Sequence, residues 1–167
     1  MLKAVLILPG TALVYAPALI IWFTRDTALA ASLAPTSIMI WLAGLPFAAA
    51  GLVLMFWTVR LFAVKGGGGT PAPWQPIRYF IVLGPYRHVR NPMLIGVILF
   101  LIAEAILLRS TPIFLWMAAF AIINTLYFTL SEEPELEKRF GQAYLDYKRN
   151  VPRWLPRLTP YTPPPPS

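Results

Sequence analysis

The chain has 167 residues, of which 57% are hydrophobic and only 13% are charged, whereas soluble domains carry about 25% charged residues. The composition therefore indicates a membrane protein, and its formal net charge of +7 fits loops that face an anionic leaflet better than it fits nucleic-acid binding. With no cysteine and one histidine, the chain excludes disulfides, thiolate catalysis and a multi-histidine metal site.

Four apolar runs are candidates for membrane-spanning helices, each of which needs about 20 predominantly apolar residues. They cover residues 4–23, 27–59 (most apolar at 38–59), 93–108 and 111–130. The third run is the shortest, and we expect residues before Met93 to extend it. It also contains Glu104, whose position near Arg109 at the outer end favours a structural role over a functional one. The sequence predicts an all-α polytopic membrane bundle of about four transmembrane helices.

The distribution of Lys and Arg predicts the orientation of this bundle. If both termini lie on one side, 12 of the 14 basic residues share that side, and only Arg25 and Arg109 lie on the other. The positive-inside rule then places both termini, and the polar segments between them, in the cytoplasm. For a bacterial source the membrane would be the inner one.

Two long polar segments share this cytoplasmic face. The first, residues 65–92, opens with four glycines and several prolines and contains a short apolar stretch at 77–83, which would form a short helix or dip into the interface. The second begins at Ser131, where a capping serine and two acids predict a helix start. One apolar stripe predicts a single amphipathic C-terminal helix, formed by Leu136, Phe140, Ala143, Tyr144 and Tyr147.

The predicted organisation has three parts. Residues 1–64 hold two transmembrane helices, residues 65–157 form a core of loop, two transmembrane helices and amphipathic helix, and residues 158–167 are a proline-rich tail. Spans three and four would form a hairpin, which brings the start of one and the end of the other to the same membrane depth. Arg90 and Asn91 would then lie beside Glu132 and Glu133.

Opposite charges at one mouth of the bundle suit a zwitterionic ligand. An arginine binds a carboxylate through its planar fork, and a carboxylate accepts from an ammonium. The plainer alternative is that the arginines anchor lipid head groups and that the acids only complement a helix dipole.

The same residues resemble the signature of integral-membrane methyltransferases, a group that includes isoprenylcysteine carboxyl methyltransferases and phospholipid N-methyltransferases. Residues 84–96 are similar to the pattern Gly-Pro-Tyr-Arg-x-x-Arg-(His/Asn)-Pro-x-Tyr-x-Gly, and residues 132–153 to the pattern Glu-Glu-x-x-Leu…Phe-Gly…Tyr…Tyr…Val-Pro-Arg. The resemblance covers about residues 65–157. Asn91 stands where histidine is usual and Leu94 where tyrosine is usual, which weakens any inference about the substrate.

The resemblance implies S-adenosylmethionine as the methyl donor and a lipophilic or small acceptor, which would be a carboxylate, an amine or a thiol. Arg87 or Arg90 would bind the carboxylate of the donor, and Glu132 or Glu133 its ammonium group. The predicted catalytic residues are Arg90, Glu133 and Arg153. The predicted cofactor-binding residues are Tyr86, Arg87, His88, Arg90, Asn91, Pro92, Leu94, Gly96, Glu132 and Glu133. No metal and no nucleic-acid partner are predicted.

Two other functions remain open at this point. Membrane reductases that use a nicotinamide cofactor share a related architecture, although the sequence shows none of their additional phosphate-binding residues. A non-catalytic lipid-binding membrane protein would also fit the composition.

Overall fold

The computed structural model describes residues 10–32, 37–65 and 80–163. The structure is 75% helix, and these ranges contain no β-strand, which confirms the predicted all-α class. The glycine-rich run and residues 77–79 of the apolar stretch at 77–83 lie outside the described residues, and residues 80–83 of that stretch are not helical. The helices are α1 (Thr11–Thr24, opening with a π-helical turn at Thr11–Tyr15), α2 (Ile38–Lys65), α3 (Pro92–Leu107), α4 (Thr111–Phe140) and α5 (Gln142–Asn150).

Within the described residues, two of the four predicted spans have the length to cross a bilayer, and residues 4–9 of the first predicted span lie outside those residues. Helices α2 and α4 contain 28 and 30 residues, and in their most apolar stretches only 17% and 6% of the residues are buried within the protein. A core helix of a soluble protein would be mostly buried, so these exposed apolar surfaces indicate contact with lipid. The predicted membrane bundle is confirmed in this form.

The other two spans form shorter apolar helices, α1 and α3. With 16 residues, α3 measures about 24 Å, less than the roughly 30 Å of the hydrocarbon core. The expected extension before Met93 amounts to a single residue, because Pro92 is the first residue of the helix. Proline is favoured there because its missing N–H would have no helical partner. The residues before it form a separate 3₁₀ turn, Gly84–Arg87.

The contact between α2 and α3 depends on two glycines that face each other. A Cβ on Gly51 would lie 2.7 Å from the carbonyl oxygen of Gly96, and a Cβ on Gly96 would lie 2.8 Å from Cγ of Met55. Small residues allow membrane helices to approach this closely, which strengthens dispersion contacts between them. The position of α3, and therefore of the loop before it, is fixed by this contact.

The structure differs from the predicted amphipathic helix at two positions, the predicted start at Ser131 and Gly141 in its middle. Helix α4 continues from its apolar part through a π-helical turn at Phe128–Glu132 to Phe140, so the prediction that Ser131 caps a new helix is wrong. At Gly141 the backbone φ is +53°, which glycine adopts most easily, and the helix breaks there. The predicted single helix is therefore the end of α4 followed by α5.

The apolar stripe nevertheless packs together across this break. Tyr144, Tyr147 and Val151 form a buried cluster with Val82, against which Leu136, Phe140, Phe80 and Tyr161 pack. Because Tyr161 joins this cluster, the segment predicted to be a separate tail contributes to the fold. The boundary between residues 157 and 158 stays a prediction.

After Val151 the chain returns along the loop that precedes α3, and we call residues 151–163 the C-terminal strap. The amide of Arg90 donates to the carbonyl of Pro152 at 2.9 Å. Further along, the amide of Arg157 donates to His88 at 3.0 Å and the amide of Tyr161 donates to Arg87 at 2.9 Å. The strap and the loop therefore run antiparallel and are held together by backbone hydrogen bonds.

Candidate active site

The carboxylate of Glu133 is the centre of a buried cluster of cations. Its Oε1 accepts from Arg90 Nη1 at 2.6 Å and from Arg153 Nη2 and Nε at 2.8 and 3.1 Å. Its Oε2 lies 3.1 Å from Lys148 Nζ. The side chain of Glu133 is only 4% exposed, and those of Arg90 and Arg153 are 12% and 17% exposed. The structure therefore brings all three predicted catalytic residues into contact.

Four separate segments supply this cluster. Arg90 lies just before α3, Glu133 follows the π-helical turn of α4, Lys148 is near the end of α5, and Arg153 belongs to the strap. The α3–α4 hairpin places the first two at the same end of the bundle, as predicted from the sequence. Arg153 also donates from Nη1 to the hydroxyl of Thr129, one helical turn before Glu133.

The sequence reasoning missed Thr129 and Lys148. Thr129 precedes Glu133 by four positions, so helical spacing could have placed it on the same face as the acid. From the sequence alone, Lys148 is only a favourable charge at the end of a predicted helix. It lies 2.6 Å from Glu137 Oε1 as well as beside Glu133, and hydrogen bonds to these acids raise the pKa of Lys148 above its usual value.

The cluster keeps unused hydrogen-bond donors. Glu137 neutralises Lys148, so the negative charge of Glu133 is left for Arg90 and Arg153. These two arginines carry one more positive charge than Glu133 can neutralise. Arg90 Nε and Asn91 Nδ2 are buried, and in the described part of the chain neither has a hydrogen-bond partner. An unpaired buried donor costs about 1–3 kcal/mol, so both N–H groups are suited to donate a hydrogen bond to a ligand.

Glu132 lies among tyrosines beside this cluster. Its half-buried carboxylate forms no hydrogen bond or ion pair within the three described ranges. Burial, and then the nearby Tyr147 and Glu132, raise the pKa of Tyr86 well above its usual value. Burial is also the main reason why the pKa of Tyr144 rises to about 12 and that of Tyr147 rises further. These phenols therefore stay neutral, and the hydroxyl of Tyr147 donates to the carbonyl of Tyr86.

Two further predicted cofactor ligands, Arg87 and His88, bind the strap. Arg87 donates from Nε to the carbonyl of Tyr161 at 2.7 Å and from Nη2 to Thr162 at 2.8 Å. His88 donates from Nδ1 to the carbonyl of Arg157 at 2.8 Å. In this structure these side chains hold the strap in place, and their contact with a cofactor stays a prediction.

The remaining predicted ligands lie in or beside the first turn of α3. Pro92 and Leu94 are buried in the protein, and Gly96 faces Gly51 and Met55 of α2. Tyr86 packs edge-on against Phe62 of α2, with 5.5 Å between ring centroids, and its carbonyl accepts from the hydroxyl of Tyr147 at 2.8 Å. These contacts explain how the loop is positioned, and cofactor contact by Pro92, Leu94 or Gly96 stays a prediction.

Glu104 lies in α3 away from this cluster. Within the described ranges its side chain has no hydrogen bond or ion pair, and its Oε2 is buried. Arg109, the expected partner at the outer end, donates to Ser32. No group of three His, Asp or Glu side chains that could hold a metal ion occurs in these ranges, and the absence of a metal stays a prediction.

Comparison with known proteins gives two matches. The sequence profile of the family described as phospholipid methyltransferase matches residues 39–143, which include Arg90, Glu132 and Glu133. Methanethiol S-methyltransferase 2 of Bradyrhizobium diazoefficiens is 34% identical over 76 residues, which cover 44% of this chain and 27% of that protein. The chain therefore covers little more than a quarter of this relative. No solved structure matches the chain.

Proposed function

We propose that this chain, which belongs to the phospholipid methyltransferase family, is a membrane methyltransferase that transfers the methyl group of S-adenosylmethionine to an acceptor held beside the Arg90–Glu133 cluster. The observation that carries this proposal is the meeting of the two signature segments at one carboxylate, with Arg90 Nη1 only 2.6 Å from Glu133 Oε1. The reacting groups would lie at the polar end of the α3–α4 hairpin. From the distribution of basic residues, we place this end on the cytoplasmic side.

The residues at this end fit the zwitterionic part of the donor. The excess positive charge of Arg90 and Arg153 suits a carboxylate, and the unpaired Nε of Arg90 offers a donor for it. The carboxylate of Glu132 suits an ammonium, because no cation of the described segments neutralises it. Asn91 Nδ2 offers a further donor for a hydroxyl or ring nitrogen of the nucleoside.

This assignment separates the two acids that the sequence could not distinguish. Glu133 already accepts from two arginines through Oε1, and its Oε2, which has no hydrogen bond in the described residues, forms an ion pair with Lys148, so we propose that Glu133 holds Arg90 and Arg153 in place without contacting the donor. Glu132 is then the residue that binds the ammonium. Among the predicted catalytic residues, Arg90 and Arg153 would face the reactants, and Glu133 would position both.

The protein's part in catalysis is mainly positioning. When bound, S-adenosylmethionine supplies a methyl group on a positively charged sulfur, and the acceptor's electron pair forms the new bond as the sulfur–methyl bond breaks. Holding two reactants in line is worth about 7–11 kcal/mol of the barrier. Positive charge from the arginines also favours the anionic form of a thiol or carboxylic acid acceptor, which is the reactive form.

A small alkyl thiol is the acceptor that we propose to test first. The partial relative from Bradyrhizobium diazoefficiens is named for methanethiol, whereas the matching family is named for phospholipids. A thiolate is attracted by the positively charged sulfur of the bound donor, whereas a neutral amine is not. A carboxylate and a phospholipid amine complete the panel of acceptors.

Calorimetry on the purified protein in lipid nanodiscs tests the donor. We expect saturable binding of S-adenosylhomocysteine at micromolar concentration, roughly −8 kcal/mol, and no saturable binding of NADPH. Binding of NADPH alone would support a reductase, and binding of neither would support a lipid-binding protein without catalysis. Transfer of radiolabelled methyl to methanethiol, a phospholipid amine or a fatty acid then identifies the acceptor.

A further inference from the structure

The strap exposes large apolar side chains that the proposed active site does not use. Leu155 is 81% exposed and Leu158 is 97% exposed, although Val151 at the start of the same strap is buried. Trp154 beside them is half-buried. Such a group of exposed apolar residues on a segment that is itself well fixed marks a surface that binds something apolar.

The position of the strap indicates what this surface meets. The strap is hydrogen-bonded to the loop before α3, and this loop lies against the polar end of α2. A Cβ on Gly84 would lie 3.1 Å from Leu61 Cδ1 and 3.2 Å from Trp57 Nε1. Trp57 and Arg60 are both exposed on α2. An exposed tryptophan followed by an arginine at the end of an apolar helix marks the membrane–water interface.

The charges at this end of the bundle are complementary to anionic lipid. Arg60 and Lys65 at the end of α2 and Lys138 near the end of α4 are all exposed. Arg149 at the end of α5 has a side chain that is 74% exposed. Lys and Arg near the surface attract anionic head groups, whereas a partner protein with an acidic face would not require the exposed leucines of the strap.

We propose that the strap lies in the interfacial layer of the leaflet in which α2 ends, with Leu155 and Leu158 inserted among the lipids and the exposed cations at this end of the bundle bound to anionic head groups. The occupant of this surface is therefore the bilayer itself. Insertion would hold the strap against Arg87 and His88 and so stabilise the arrangement of Arg153 at the candidate site. This inference rests on exposure, position and charge, and it does not depend on methyl transfer.

Site-specific labelling tests the insertion directly, because the native chain contains no cysteine. An environment-sensitive fluorophore would be attached to Leu155→Cys, Leu158→Cys and, as a control, Ala143→Cys, an exposed position on α5. In vesicles of phosphatidylcholine and phosphatidylglycerol, we expect a lipid-attached nitroxide to quench the two strap labels and aqueous iodide to quench the control label. Omitting phosphatidylglycerol should weaken the quenching by nitroxide.

Two results would overturn the proposal. The first is quenching of the strap labels by iodide as strong as that of the control label, which would place the strap in water. The second is protection of the strap labels from both quenchers, which would show that a second copy or another protein covers them.

A second variant addresses the link between insertion and the strap's hydrogen bonds. In Leu155→Ser/Leu158→Ser, amide hydrogen exchange of Arg157 and Tyr161 should become severalfold faster in these vesicles, while the amides of α2 and α3 keep their rates. Unchanged exchange in the strap would show that lipid contact does not hold it, and this result too would contradict the proposal.

Discussion

Arg90 and Glu133 are 43 positions apart in the sequence, and their side chains form a 2.6 Å ion pair in the protein interior. The pair closes the polar end of the α3–α4 hairpin and joins the two segments that carry the family's signature. Because Arg153 binds the same carboxylate oxygen, the strap is tied to the hairpin at the same point. A change at Glu133 is therefore expected to affect the whole site.

Glu133→Gln should lower the stability of the protein strongly. Removing one partner of a buried ion pair costs about 3–5 kcal/mol, because the remaining charges stay buried without compensation. Glu137→Gln is the matched control, since Glu137 is 32% exposed and, among the residues that the structure describes, pairs only with the half-exposed Lys148. Its loss should cost about 0–1 kcal/mol. Thermal unfolding of both variants in the same detergent compares them, and equal stabilities would contradict the buried network.

Arg87→Gln should release the end of the strap. Arg87 donates two hydrogen bonds to residues 161 and 162, and bonds of this charged type are worth about 1.5–3 kcal/mol each. We expect the amide of Tyr161 to exchange with deuterium at least about tenfold faster, whereas the exposed control Arg149→Gln should leave it unchanged. Equal exchange in the two variants would mean that Arg87 does not hold the strap.

Gly51→Leu should separate α2 from α3. Even the Cβ would lie 2.7 Å from the carbonyl oxygen of Gly96 and 3.0 Å from the amide nitrogen of Phe100, both of which are backbone atoms that cannot move aside. Ala50→Leu adds the same side chain at the preceding, exposed position. Unfolding temperatures should fall by several degrees for Gly51→Leu and stay near the wild-type value for Ala50→Leu. A tolerated Gly51→Leu would refute the close helix contact.

The orientation of the bundle can be tested in intact cells. A membrane-impermeant thiol reagent should label Ala28→Cys, in the connection between α1 and α2, and should not label Ala143→Cys on α5. Both residues are exposed, so each thiol is accessible from the compartment that it faces. The reverse pattern would place the candidate active site outside the cytoplasm and would contradict the orientation inferred from the basic residues.

The sequence was sufficient to predict that Arg90 and Asn91 lie beside Glu132 and Glu133, because a short turn between two apolar helices leaves little choice in how their far ends meet. It did not predict that Arg90 and Glu133 pair directly. It was insufficient for the helix break, since the stripe from Leu136 to Tyr147 has uninterrupted helical spacing and only the positive φ of Gly141 interrupts it. The strap was not predicted because backbone hydrogen bonds, such as that from Arg90 to Pro152, leave no side-chain pattern. The hydrogen bonds from Arg87 and His88 to backbone carbonyls of the strap were not predicted either, because backbone acceptors leave no pattern in the sequence.

The central claim is that the Arg90–Glu133 cluster and the carboxylate of Glu132 together form one binding site for the methyl donor. The most direct test is to measure how tightly the Glu132→Gln variant binds S-adenosylhomocysteine. A charge-assisted hydrogen bond is worth about 1.5–3 kcal/mol, so this variant should bind about 10- to 150-fold more weakly than the wild type, with unchanged thermal stability. Glu135→Gln, an exposed acid three positions on, should bind like the wild type. Wild-type affinity in Glu132→Gln would contradict the account.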